Sequence, residues 1–482
     1  MFESDVQRLI DATGAALVCG EPTQSFCGFA IDSRQVEPGC AFVAFVGENV
    51  DGNNYVDAAL DAGAALCIMS AEASPEMLSH AQALGAAIVR AADDDCEELL
   101  LRLAADWRKR NPQWRVVGVT GSVGKTTTKD MLAAAAHTQW KTHATKGNFN
   151  SVIGAPLTIL DAKPTDELLV LEMGMNHAGE LDRISRAAQP DVALITNIGS
   201  SHVGLLGSRE NIARAKAEIM VGMRPAEQSG VSAQLVLSSA DDFTSFIEDE
   251  LAAPRGISVI RVGQAPTDDV RLGSIELDEE GLAHFSLTSS HGNFEGCCPV
   301  RGRAAVLDCA LALAAIDALG GDIARAFEAV QDMPATHMRL ELVSASNGMR
   351  IIDDSYNASP ASMASALDVL SSMKHEGRKI AVLGEMGELG DDEKQLHALV
   401  GAYTAAKPLD LLVIVGTQAA CDMEQAAKLM GMESSRIVRV DSVEAASEFL
   451  ADQLSATDLM LVKASRAVGL DRLVREVLSR VW

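Results

Sequence analysis

The chain has 482 residues, 48% hydrophobic but only 4% aromatic, and carries a formal net charge of −27 at pH 7. That length exceeds a single hydrophobic core and predicts about three domains. The acidity excludes a nucleic-acid surface, whose affinity comes from clustered Lys and Arg, and the cores must be built from Ala, Val, Leu and Ile. Residues 1–5 lack the basic start and apolar core of a secretory signal. No apolar run approaches the roughly 18 residues that span a bilayer, and the nine cysteines include no C-x-x-C pair. A cytoplasmic protein with reduced thiols and no membrane span is expected.

Residues 1–93 mix short strands with alanine-rich helices. They carry Asp32-Ser33-Arg34, a Pro38-Gly39 turn, a predicted strand at 41–46 and a second turn at Asp51-Gly52. A charged helical stretch at 93–110 ends at Asn111-Pro112 and opens the second segment, 94–332.

There a predicted strand, 115–119, feeds the run Thr120-Gly121-Ser122-Val123-Gly124-Lys125-Thr126-Thr127, and a helix at 126–137 follows. Strand, glycine loop, Lys-Thr, helix is the pattern that wraps a triphosphate. The glycines turn backbone N–H groups inward, Lys125 meets phosphate charge, and Thr126 offers an oxygen to Mg²⁺. Val119 stands where the longer phosphate-loop pattern has glycine, so this is the shorter form T-G-x-x-G-K-T-T, an ATP or GTP site. Further strands at 168–173, 192–198 and 235–238 alternate with helices at 179–188 and 209–223. The alternation predicts a mostly parallel sheet with ligands at its strand C-termini. Residues 257–300 read as an antiparallel addition, followed by a helix at 304–319.

The third segment, 333–482, repeats the rhythm. It has strands at 349–353, 379–383, 411–415 and 459–462, and helices at 362–373, 392–405, 443–454 and 470–481. Lacking its own phosphate loop, it is expected to close over the second segment and bring another substrate.

Several polar groups fall at predicted strand ends. Glu172 ends a strand, where a Mg²⁺ ligand or a cap would sit. His202 follows another in Thr196-Asn197-Ile198-Gly199-Ser200-Ser201-His202. Lys216, on the helix after it, reads by itself as a solvated helix lysine. Asn148 and Asn150 suit either turn chemistry or sugar and amide recognition. Three polar loops, at Asp353–Pro360, Gly384–Gly390 and Lys463–Arg466, lie on one predicted sheet edge.

Together these pieces resemble the Mur ligases over essentially the whole chain. The pattern runs from Asp32-Ser33-Arg34 through the phosphate loop, Gly147-Asn148-Phe149-Asn150 and Glu172-Met173-Gly174, to Asn197-Ile198 with His202 and Ala215-Lys216. It continues with Asp353-Asp354-Ser355-Tyr356-Asn357, Glu388-Leu389-Gly390 and Lys463 with Ser465-Arg466. The stretch Glu172–Leu181 favours the member that couples a dipeptide, and the D-N-P-R motif of the member adding the third residue is absent.

The resemblance implies an α/β protein of three domains. These are a small N-terminal α/β domain holding the UDP-substrate (1–93), a central phosphate-loop parallel-sheet domain with an antiparallel addition (94–332), and a C-terminal Rossmann-like domain for the incoming dipeptide (333–482). It implies a monomeric bacterial enzyme that uses ATP and Mg²⁺ to join D-alanyl-D-alanine to a UDP-N-acetylmuramoyl-tripeptide through an acyl phosphate. By the same resemblance, Gly121–Thr127, Arg339 and Asp354 serve ATP, and Ser33, Arg34, Asn148, Asn150 and Asn357 serve the substrates. Thr126, Glu172, His202 and Lys216 serve metal positions, with Lys216 carbamylated, and Lys125, His202 and Lys216 carry catalysis.

The chain departs from the family at Ala304, Ala305 and Asp308, where His, Asn and Asn are usual and help frame the adenine, and at Ser151 and Ala464. Weak base discrimination is the expected consequence. The alternatives are another Mur ligase, folylpolyglutamate synthase, a nucleotide-binding regulator without turnover, and a plain phosphate-loop kinase or GTPase.

Overall fold

A computed structural model describes residues 3–47, 49–225, 230 and 232–480. Contacts divide the chain into two compact units: Met1–Val119 with Trp140–Ala193 and Glu218–Ala233, and Thr120–Gln139 with Leu194–Ala217 and Gln234–Trp482.

In the first unit, a five-stranded sheet runs in the order Ala16–Cys19, Ala87–Arg90, Leu66–Met69, Ala41–Val43, Phe29–Ala30. Only the first strand is antiparallel to its neighbour. The strand predicted at 41–46 stops at Val43, and Val46 instead bridges Asp51. Gly52 is required at that turn, since a Cβ there would lie 2.6 Å from the Phe45 carbonyl oxygen.

The helix Cys96–Arg110 begins where the Asp95 side chain accepts from the Glu98 N–H and ends in Arg108, Lys109 and Arg110. Both ends complement the helix dipole. Its Trp107 meets Trp114 edge to face, ring centroids 6.0 Å apart, and Arg110 lies over the Trp107 ring.

Beyond it the strands Thr142–Ala144, Leu168–Glu172 and Arg115–Thr120 are parallel neighbours, with Glu172 in register with Val119. Leu168–Leu171 is an unbroken apolar run because both faces of a parallel sheet are covered. At the opposite end of these strands sits Asp191, 0% exposed. Its carboxylate accepts from the Val116 N–H (2.8 Å) and pairs with Arg224 through two bonds of 2.8 and 2.9 Å, with Arg108 3.7 Å away. Arg224 also donates to the carbonyls of Pro112 and Trp114.

The helix predicted at 209–223 ends at Ala217 and passes into a 3-10 turn, Glu218–Met220. Gly222 explains the break: a Cβ there would lie 2.0 Å from the Ser185 carbonyl oxygen, and the Ser185 hydroxyl donates to the Ile219 carbonyl while accepting from the Gly222 N–H.

In the second unit, Gln234–Ser238 pairs parallel with Ser258–Gly263, which pairs parallel with Val270–Leu277. Only Val270–Leu277, Ala283–Ser289 and Gly292–Cys298 form the antiparallel addition, so it begins one strand later than the sequence pattern indicated. The strand predicted at 192–198 ends at Ile195, because Thr196 and Asn197 turn onto the phosphate loop. The helix Ala304–Ala318 is apolar all round and lies against the helix Lys125–His137.

The C-terminal sheet has the order Glu341–Ser344, Arg350–Asp353, Leu459–Lys463, Lys379–Gly384, Leu411–Val415, Ile437–Val440, parallel except for its first strand. Its edge strands Glu341–Ser344 and Ile437–Val440 and the helix Gln418–Leu429 are additions to the elements predicted. The last helix spans Asp471–Ser479; Val481, included in its prediction, lies outside the described residues, as do Met1 and Phe2. All nine cysteines are free thiols. No helix among the described residues is long and apolar enough to cross a membrane.

Removing Asp191 would strand two buried guanidinium groups. Asp191→Ala is expected to cost about 3–5 kcal/mol of stability, read from denaturant midpoints. A loss below about 1 kcal/mol would show that the pair is dispensable.

Candidate active site

Within the second unit, the phosphate loop is held in shape by the segment that follows Val192–Ile195. The Ser122 N–H donates to the Asn197 carbonyl (3.0 Å) and the Val123 N–H to Asn197 Oδ1 (3.1 Å), while Asn197 Nδ2 returns a bond to the Val123 carbonyl (2.9 Å). Thr196 Oγ1 donates to the same carbonyl, and the Gly199 N–H donates to Ser122 Oγ at 2.8 Å. Two glycines permit this. Gly121 has φ 146° and a Cβ there would lie 1.8 Å from Thr196 Oγ1; Gly124 has φ 87° and its Cβ would lie 2.4 Å from Asp308 Oδ1. The amides of Ser122 and Val123 thus brace the loop from behind. The first turn of the helix Lys125–His137 supplies the amide-rich, positive end that attracts an anion. Lys125 Nζ curls back to the Gly121 carbonyl at 2.7 Å.

Lys216 overturns its reading as a solvated helix lysine: it is 1% exposed. Burial first, and then the nearby Lys125 charge, push its amine well below the usual lysine range. Desolvation of this kind favours the uncharged, nucleophilic form of an amine. His202 has φ 65°, and its Nδ1 lies 2.6 Å from Glu388 Oε2, off the line of a directed hydrogen bond. Glu388 is itself left-handed at φ 63°. Close approach enforces this pair, since a Cβ on Gly204 would lie 2.5 Å from the Gly390 nitrogen. Two strained residues facing each other are held by their surroundings, as at functional sites.

The third domain contributes a second cluster. Lys463 Nζ, fully buried, pairs with Asp354 Oδ2 at 2.6 Å and donates to the Asn357 carbonyl at 2.9 Å. Arg339 lies over the Tyr356 ring (4.3 Å) and donates to Thr126 Oγ1 (3.3 Å), while Thr336 Oγ1 donates to Asp130. The residues flanking Arg339, Met338 and Leu340, are both left-handed. The Leu340 N–H donates to Asp354 Oδ1 (3.3 Å), so Thr126, Arg339, Asp354 and Asn357 are joined through one run of contacts along the chain at Arg339-Leu340. Asp308 stands against Gly124 with its carboxyl raised to about 8, because burial outweighs the Thr128 hydroxyl and the Arg339 charge.

In the first unit, Glu172 is 2% exposed rather than a surface acid. Its Oε1 accepts from Asn150 Nδ2 (2.7 Å), its N–H is bonded to Thr145 Oγ1, and among the described residues Oε2 has no hydrogen-bond partner. Asn150 therefore positions Glu172, whereas Asn148 is exposed. Arg34 is exposed and paired with Asp32, and Ser33 is half-buried in the same turn. A cleft of about 240 Å³ opens beside them, lined by Phe29, Ile31, Gln35, His143, Lys146 and Phe149 among others. Sequence reasoning passed over this cleft, and quoted Asn197, Tyr356 and Lys463 only as members of motifs, without a role. The signal for Asn197 was an amide at a strand C-terminus, which resembles any turn residue.

Three family models match the chain: the Mur ligase family catalytic domain over residues 26–108, the Mur ligase middle domain over 119–316 and the Mur ligase glutamate ligase domain over 338–466. The chain is 36% identical to the UDP-N-acetylmuramoyl-tripeptide–D-alanyl-D-alanine ligase of Bacillus subtilis, covering 94% of this chain and 93% of that one. Its structure is similar to a crystal structure of MurF from Acinetobacter baumannii, with TM-score 0.85, 30% identity and 99% of both chains covered. It is also similar to the MurF ligase of Thermotoga maritima in complex with ADP, with TM-score 0.75, 28% identity and 93% and 96% covered. Matched by all three models along its length, the chain belongs to the Mur ligase family.

Proposed function

We propose that this protein joins D-alanyl-D-alanine to a UDP-N-acetylmuramoyl-tripeptide at the expense of ATP, in the synthesis of peptidoglycan precursors. The observation that carries this reading is the braced phosphate loop, with the buried Lys216 amine and the Arg339–Asp354 cluster in the same unit. A carboxylate is a poor electrophile. Transfer of the γ-phosphoryl group to the tripeptide carboxylate gives an acyl phosphate, the dipeptide amine attacks its carbonyl carbon, and phosphate leaves as the amide forms. The protein's part is to position the reactants and balance charge.

Gly121, Ser122, Val123, Gly124, Lys125, Thr126 and Thr127 cradle the triphosphate, with Lys125 and Arg339 opposing its charge. Asp354 is aimed by Lys463, and Asn357 serves the dipeptide. Ser33, Arg34, Asn148 and the cleft at Lys146 and Phe149 receive the UDP-linked substrate, while Asn150 acts by holding Glu172. Thr126 and Glu172 would hold Mg²⁺, which supplies positive charge against the phosphates; the partnerless, buried Oε2 of Glu172 fits that role. His202 and Lys216 would serve a second metal position. An uncharged, buried amine is the form that adds to CO₂, releasing a proton and leaving a carbamate, so the environment of Lys216 suits this modification.

The test is phosphate release from ATP, which should require both the UDP-linked tripeptide and D-alanyl-D-alanine; release indifferent to the dipeptide would refute the assignment. Lys216→Ala should lower kcat by about a hundredfold or more without lowering the thermal midpoint, because burying an amine costs stability. Full activity in that variant would end the carbamate role.

Asp308 gives a pH signature. Folding raises its carboxyl from 3.8 to about 8, so the native state holds a proton that the unfolded chain releases. The associated stability is complete below about pH 4 and is lost as pH rises towards 8. Asp308→Asn, neutral at every pH, should match the wild type at pH 5–6 in ATP affinity. At pH 9 it should melt a few degrees higher and keep the affinity that the wild type loses to an ionised carboxylate beside the phosphate loop. Parallel pH profiles would overturn this.

A further inference from the structure

The antiparallel addition carries side chains that the ligase reaction leaves unused. Across its strands, Glu276 pairs with His284 and His284 with Cys297, so the three lie side by side on one face. Asp278 joins them from the turn that connects the first two strands. Its Oδ1 accepts from the Glu280 and Leu282 N–H groups at 2.9 Å each, which fixes the carboxylate and leaves Oδ2 facing His284 Nε2 at 3.2 Å. The donor atoms of Asp278, His284 and Cys297 all lie within 4.8 Å of one another.

We propose that Asp278, His284 and Cys297 form a binding site for a borderline divalent cation of the zinc type, separate from the magnesium-dependent chemistry of the phosphate loop. Ligand atoms around tetrahedral zinc lie about 3.3–3.6 Å apart, given bonds of about 2.0–2.3 Å. The carboxylate–imidazole edge, at 3.2 Å, is just short of that range, and the half-buried Cys297, within 4.8 Å of both, completes a face by a side-chain adjustment. Glu276, exposed and directly across from His284, or a water molecule, fills the fourth position. One nitrogen, one sulfur and carboxylate oxygen select zinc, cobalt or nickel over magnesium, which takes oxygen ligands. Burial, and then the Asp278 charge, raise the Cys297 thiol above its usual value. The thiol therefore enters the site protonated and gives its proton to solvent as the metal–sulfur bond forms. Arg301, close enough to act on Asp278, tempers the affinity.

The site's position gives it a consequence. The same turn makes the connection to the third domain: Glu280 pairs with Arg350, Glu279 pairs with Lys374 at 2.8 Å and accepts the Lys374 N–H, and a Cβ on Gly281 would lie 2.9 Å from Met373. A cation at the foot of this turn stiffens the contact between central and third domains.

Cobalt titration of the reduced, nucleotide-free, full-length protein in magnesium-free buffer tests the proposal. One equivalent should give a thiolate-to-cobalt charge-transfer band with tetrahedral visible bands, displaced by zinc. Cys297→Ser should abolish the charge-transfer band, and His284→Ala should weaken binding at least tenfold, both variants keeping wild-type ligase activity in magnesium. No stoichiometric band, or a band that persists in Cys297→Ser, would overturn it; the cluster would then be a surface carboxylate–imidazole pair only.

Discussion

The reciprocal amide pair between Asn197 and Val123 is the constraint on which the nucleotide site depends. A glycine loop is entropically expensive to order, because glycine loses more backbone freedom than any other residue. Here the cost is met within the folded protein. Asn197 uses its carbonyl, side-chain oxygen and side-chain nitrogen on two consecutive loop residues, and Thr196 adds its hydroxyl. The loop is shaped before any phosphate arrives, so binding energy is not spent on folding it.

Buried charge is handled in two ways in this molecule. Asp191 and its two arginines are saturated with partners, as a structural ion cluster must be when desolvated. The groups given chemical roles are left incomplete. Among the described residues Glu172 keeps one carboxylate oxygen without a hydrogen-bond partner, burial pushes the Lys216 amine well below the usual lysine range, and it raises the Asp308 carboxyl to about 8. Incompleteness of this kind marks a site more clearly than burial does.

Much of this was legible in the sequence. The Thr120–Thr127 run and the strand–helix alternation specify the phosphate loop and the two parallel sheets, because glycine spacing and apolar periodicity are local properties. What escaped was non-local. Lys216 in Ala215-Lys216-Ala217 has the composition of a surface helix, and only the fold shows it to be enclosed. Asn150 is visible as a polar loop residue, but its hydrogen bond to Glu172, 22 residues away, is not. The helix at 209–223 breaks because Gly222 meets the Ser185 backbone, a contact across 37 residues. Asp308 was visible as a departure from family pattern, but its proximity to Gly124 was not.

The edge-to-face pair of Trp107 and Trp114 has a spectroscopic corollary. Together with Trp140, they are the tryptophans among the described residues, and all three belong to the first unit. The phosphate loop, its helix and the third-domain loops contain no tryptophan. Emission from these three therefore reports on the first unit and not on the loops that would handle the triphosphate; the fourth tryptophan, Trp482, lies outside the described residues. Unfolding followed by tryptophan fluorescence in a Trp482→Phe variant would describe one unit of this protein. A calorimetric trace, which weighs every residue, would separate from it wherever the second unit melts independently.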